Sequence, residues 1–111
     1  MPAHKRPRRG EIWLAALDPT VGSEIQKTRP CVVVSPPEMN EHLRTMIVAP
    51  MTTGSHTAPF RIPLTFQRKN GLILLDQLRT LDRQRLVKRL GAVKPATLAG
   101  VLDGLQAMFS P

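Results

Sequence analysis

No tyrosine occurs in this chain, and one tryptophan and three phenylalanines stand among its 111 residues. So few aromatics argue against the exposed stacking platforms on which many single-strand readers lay successive bases. A nucleic-acid partner would be held by charge and loop shape. Cys31 is the sole cysteine, which excludes an internal disulfide and a thiolate zinc site. It lies in an apolar run and reads as a small core hydrophobe rather than a nucleophile. His4, His42 and His56 lack metal-ligand spacing, and no carboxylate cluster suits a magnesium pair. Neither a metal nor another cofactor is expected. No apolar run approaches the roughly 20 residues that span a bilayer. The basic N-terminus leads into a strand-like segment with no signal-peptide core behind it. A cytoplasmic protein with no membrane partner is expected.

Acid is scarce too: 8 Asp and Glu face 16 Lys and Arg, giving a net charge of +8 and an isoelectric point near 11.1. This balance points to a polyanionic partner, either a nucleic acid or an acidic protein segment. Arg6, Arg8 and Arg9 give the N-terminus its charge, with residues 1–8 expected as a flexible basic arm, either solubilising or binding. The length allows one domain, 1–111, with a modest core that dimerisation would enlarge.

What remains is a series of short strands. "EIWLAAL" (11–17), "PCVVVS" (30–35), "TMIVAPM" (45–51), "FRIPLTF" (60–66) and "LILLDQL" (72–78) have strand character, with Pro63 marking an edge. "PPEMNEHLR" predicts a short helical turn, "RKNG" (68–71) a tight turn, "RTLDRQRLVKR" (79–89) a basic connection and "LGAVK" (90–94) a last strand. Leu98, Val101, Leu102, Leu105, Met108 and Phe109 recur at helical spacing, with Pro95 in the first turn. Gly100 and Gly104 weaken that helix in isolation, so packing against the sheet or a second subunit is expected to hold it. The fold class is mainly β with short helices: a small, curled antiparallel barrel with a C-terminal amphipathic helix.

The stretch "SEIQKTRPCVVVSP" (23–36) places Glu24, Lys27 and Arg29 at the mouth of a buried strand. Charges there either hold a phosphate or form a solvated loop, with Arg29 paired to Glu24 or Asp76. The wider pattern favours the first. "RGEIWLAALDPTVGSE", "RPCVVVSP", "VAPMTTG" and "LLDQLRTLD" follow one another in the order and spacing of the MazF/PemK toxins. From about Arg9 to the terminal helix the chain resembles that family, the ribonuclease halves of bacterial toxin–antitoxin pairs.

The resemblance implies an SH3-like barrel, a homodimer, and metal-free cleavage of single-stranded RNA at short motifs. It also implies an antitoxin whose flexible acidic tail covers the RNA groove. It carries the catalytic positions to Glu24, Arg29 and Thr52, and to Asp76 as either a second candidate base or an anchor of the strand exit and dimer contact. It sets RNA contacts at Lys27, Thr28, Thr53, Gln77 and Arg79, the last two alternatively on a solvated basic face. Arginine two residues before the Asp, implicated in the Kid-like branch, is replaced by Leu74. The family's loop pattern GSEQxGxRP reads GSEIQKTRP here, so the loop is expected to be stiffer or to follow another path, with altered RNA preference. Two competing readings are a CcdB-like gyrase poison, which would not need Glu24, Arg29 and Thr52, and a barrel that only binds RNA or DNA.

Overall fold

The apolar run Cys31–Val34 divides between two cores. In the computed structural model, which describes residues 6–54 and 56–111, Cys31 and Val33 join Trp13, Leu17, Met46, Val48, Leu81 and Leu86. Val32 and Val34 join Ile12, Ala49, Met51, Ile73, Leu75 and Val101 in the other cluster. Side chains alternate along a strand, so a strand buried on both faces reads as one continuous hydrophobic run.

In chain order the elements are β1 (Glu11–Ala16), β2 (Thr28–Val33), α1 (Pro37–Asn40), β3 (Thr45–Thr52), β4 (Arg61–Phe66), β5 (Lys69–Leu74), β6 (Arg79–Asp82), β7 (Leu86–Ala92) and α2 (Pro95–Phe109). Short 3-10 turns, Leu75–Gln77 and Arg83–Arg85, flank β6. Every strand pairing is antiparallel, in the order β4-β5-β3-β2-β1-β7, with β6 added on β3. β3 curls the sheet because its two ends serve different neighbours: Thr45–Val48 pair with β6, and Met51 and Thr52 with β5. Two register shifts between β1 and β7 add the bending that bulges supply. The result is the curled antiparallel barrel expected, closed on one face by α2.

Several boundaries differ from the sequence-based expectation. β2 begins at Thr28, so Thr28 and Arg29 belong to the strand rather than to the loop before it. The turn expected at "RKNG" falls earlier, on Gln67 and Arg68, and Lys69 and Asn70 already pair within β5. The expected basic connection 79–89 instead contains β6 and most of β7. Leu81 and Leu86 turn into the core there while Thr80, Val87, Lys88 and Arg89 stay exposed. The dense positive charge obscured that alternation.

Helix α2 finds its packing within the chain. Val101 is fully buried, and Leu105 and Met108 pack on the same cluster. Gly104 lets the helix sit close: a Cβ there would lie 2.8 Å from Leu75 Cδ1. The need for a second subunit to hold this helix is therefore removed. The basic arm is also shorter than expected. Pro7 is buried, and the Arg8 amide donates to Glu11 Oε1 at 2.8 Å. Residues 1–5, with His4, lie outside the described residues, as does Ser55. Among the described residues no helix is long and apolar enough to cross a membrane.

Candidate active site

The loop between β1 and β2 is clamped at its base by two arginines. Arg79 Nη1 donates to the Leu17 carbonyl at 3.2 Å. Arg85 Nη1 donates to the carbonyls of Ala16 and Asp18 at 3.1 and 2.6 Å. Leu17 N–H meets the Lys27 carbonyl at 3.0 Å, and the Lys27 amide donates to Asp18 Oδ1 at 3.1 Å. Farther out, Ile25 packs against the barrel core, and its amide donates to Gln77 Oε1 at 2.6 Å. This exposed loop is thus held at base and middle. Lys27 takes φ = 69°, the left-handed conformation that suits glycine. It stands at the glycine position of the family pattern, so lysine here holds a conformation that glycine would adopt without strain.

Arg29 projects from the first turn of β2, half-buried. Its Nε donates to the Gln26 carbonyl at 3.1 Å, and among the described residues its terminal nitrogens have no partner. Arg29 lines a hollow of about 420 Å³ with Thr52, Thr53 and Gln77. Thr52 Oγ1, at the end of β3, accepts from the Gly54 amide at 3.3 Å. Gly71 on β5 permits this corner, because a Cβ there would lie 2.8 Å from the Thr52 carbonyl oxygen. A guanidinium with unused donors beside two hydroxyls suits a phosphate and the charge that develops on it.

Glu24 and Asp76 line an adjoining hollow of about 610 Å³, with Gln77, Arg79 and Thr80. Ser23, Ile25 and Gln77 border both hollows, which therefore form one trough. Glu24 is exposed, and its Oε1 accepts from the Val21 amide at 2.5 Å. It makes no ion pair with Arg29; the ion pairs among the described residues are Arg61–Asp76 and Arg89–Glu11. The hydrogen bond from Arg61 foremost, aided by its charge, holds the Asp76 carboxyl below the ordinary carboxylate range. The alternative in which Arg29 pairs with Glu24 or Asp76 is not found.

Of the expected RNA contacts, Thr53, Gln77 and Arg79 line the trough, while Lys27 and Thr28 are exposed and line neither hollow. Gln77 and Arg79 each also hold the loop. Lys88 and Arg89 lie exposed on β7, where Arg89 bonds Glu11 at 2.8 Å. Burial pushes the Cys31 thiol up to about 12, which agrees with an inert core residue. Among the described residues no three His, Cys, Asp or Glu side chains converge as a metal site. Asp18 and Arg61 were missed by sequence reasoning. For Arg61 a signal existed: the hairpin turn at Gln67 and Arg68 sets it opposite Leu74, two residues before Asp76.

A small basic barrel with a guanidinium and two hydroxyls on an exposed trough defines a protein suited to engage a polyanion at its surface. The chain belongs to the PemK-like, MazF-like toxin family of type II toxin–antitoxin systems, which its residues 8–109 match. It is 40% identical over 108 residues to Endoribonuclease PemK of Escherichia coli, covering 92% of this chain and 81% of that one. The crystal structure of MazF from Deinococcus radiodurans superimposes with a TM-score of 0.83 at 28% identity, covering 95% and 97% of the two chains. A MazE–MazF crystal structure from the same organism gives 0.78 at 25% identity, covering 96% and 98%.

Proposed function

We propose that this toxin is a sequence-specific endoribonuclease that cuts single-stranded RNA without a metal ion. The observation that carries the reading is the Arg29 guanidinium, with its terminal nitrogens unpartnered beside Thr52 and Thr53 on an open trough. RNA carries its own nucleophile. The 2′-hydroxyl gives up its proton to a base, its oxygen bonds to the adjacent phosphorus, and the bond from phosphorus to the 5′-oxygen breaks as that oxygen takes a proton. The products are a 2′,3′-cyclic phosphate and a 5′-hydroxyl. Arg29 and Thr52 hold the non-bridging oxygens and the charge growing on them. Arg29 is too basic to accept the proton readily.

Glu24 is assigned as the base and Asp76 as an anchor. A general base works best with a pKa near the working pH, and Arg61 drives Asp76 away from that range. To act as base, Glu24 gives up its bond from the Val21 amide and turns toward the RNA. Lys27, Thr28, Thr53, Gln77 and Arg79 guide the strand. A cognate antitoxin is the protein partner, which the MazE–MazF assembly supports, and its acidic flexible tail covers the same basic trough. The toxin acts as a homodimer, with Phe60 and Phe109 among its exposed large apolar side chains.

The test is cleavage of a labelled RNA strand in the presence of chelator. Discrete products ending in cyclic phosphate are expected, and a single 2′-deoxy sugar at the cut should stop cleavage there. A shifted but intact RNA band, or cutting after a deoxy sugar, would overturn the reading.

A further inference from the structure

The corner formed by Arg29, Thr52 and Thr53 borders a third hollow, of about 210 Å³, that no catalytic role explains. It leads away from Glu24. Met51 and Leu64 supply apolar lining, Phe66 presents its ring, and Gln67 and Lys69 bring polar groups. The volume is below the roughly 300–1,000 Å³ of pockets that enclose drug-sized ligands, which suits one flat heterocycle. Phe66 is held from behind: its Cε1 lies 3.5 Å from where a Cβ on Gly91 would stand.

The hairpin that carries these groups is unusual. Gln67 and Arg68 have φ of 51° and 65°, the pair of left-handed residues of a two-residue turn normally given to Asn-Gly. Long polar side chains are thus held at both positions in a conformation that L residues adopt only under strain. Residues held in such conformations cluster at ligand sites.

We infer that this hollow is a nucleobase subsite, in which the base next to the scissile phosphate lies against Phe66 and is read by Gln67. The inference rests on the endoribonuclease reading, since the shared Arg29–Thr52–Thr53 corner sets the phosphate within one nucleotide of the hollow. A carboxamide offers one donor group and one acceptor, the pair that matches an adenine edge. Lys69 supplies a cation for the adjoining phosphate. An unpaired strand can splay such a base out of its stack, which a duplex cannot.

Two measurements test this. In the first, cut sites are mapped on an RNA pool of random sequence for the wild type and for Gln67→Gly, which suits the left-handed turn and keeps the fold. Preference at one position beside the cut should relax on the order of tenfold, with other positions unchanged. An unaltered preference at every position would overturn the subsite. In the second, 2-aminopurine is walked along an RNA made uncleavable by a deoxy sugar at the cut, or left unmodified if the wild type does not cut. Its fluorescence should be quenched at one position on the wild type and much less on Phe66→Leu, with affinity reduced on the order of tenfold or more. Cleavage without quenching at any position would remove the subsite and leave the nuclease intact. Phe66-dependent quenching without cleavage would keep the subsite and remove the nuclease.

Discussion

Arg61 grips Asp76 through both carboxylate oxygens, Nε lying 3.1 Å from Oδ1 and Nη2 2.9 Å from Oδ2. The same guanidinium donates from Nη1 to the His56 carbonyl at 3.1 Å. One side chain thus ties the β3–β4 loop to the turn after β5. Because the partnership lowers the Asp76 pKa, its stabilising effect is present above the ordinary Asp value of about 3.9 and fades as pH falls below it. Asp76→Asn should therefore melt at a lower temperature than wild type at pH 7, with the gap closing below about pH 4. Thermal melts across pH check this; a gap that persists at pH 2 would refute it. As an anchor, Asp76→Asn should retain cleavage within about tenfold, whereas Glu24→Gln should lose roughly 10²–10⁴-fold.

Arg29→Ala removes a half-buried cation whose Nε donates to the Gln26 carbonyl. The protein should fold, with its melting temperature little changed, and lose roughly 10²–10³-fold in cleavage rate, the usual effect of deleting a transition-state donor. Single-turnover rates at saturating enzyme isolate this from binding. Wild-type rates from a folded variant would exclude Arg29 from the chemistry.

The two helix glycines should respond with opposite sign. A Cβ on Gly100 meets nothing within 4 Å, so Gly100→Ala should raise stability by about 0.5–1 kcal/mol through helix propensity. On Gly104 the same atom would lie 2.8 Å from Leu75 Cδ1, inside a buried contact. Overpacking of about 1–3 kcal/mol should outweigh the propensity gain there. Denaturant midpoints for the two variants, expected above and below wild type, decide it.

Lys27→Gly separates backbone from charge. The left-handed φ of 69° should cost lysine about 1–2 kcal/mol, partly offset by glycine's greater freedom when unfolded. The variant should melt slightly higher while binding RNA more weakly. The slope of log affinity against log salt should flatten by about 0.7, one phosphate contact on a single strand. An unchanged slope would take Lys27 off the RNA path.

Much of this protein was legible along the chain because its information is local. Alternation, proline and glycine placement marked β1, β3 and β4, and the helical spacing from Leu98 to Met108 marked α2. The motif blocks picked out Arg29 and Thr52, which the barrel does bring to one corner. Where charge was dense the same reading failed, as in β6 and β7, since a run of basic residues hides which side chains point inward. Tertiary structure alone decided which charges meet. Glu24, Arg29 and Asp76 are neighbours in any scheme drawn from motifs, yet Asp76 bonds Arg61, 15 residues away, and Glu24 bonds its own turn. Hydrophobic periodicity reports which face of an element is buried. The partner of a cation depends on sheet register and loop closure, and those are set only when distant strands pair.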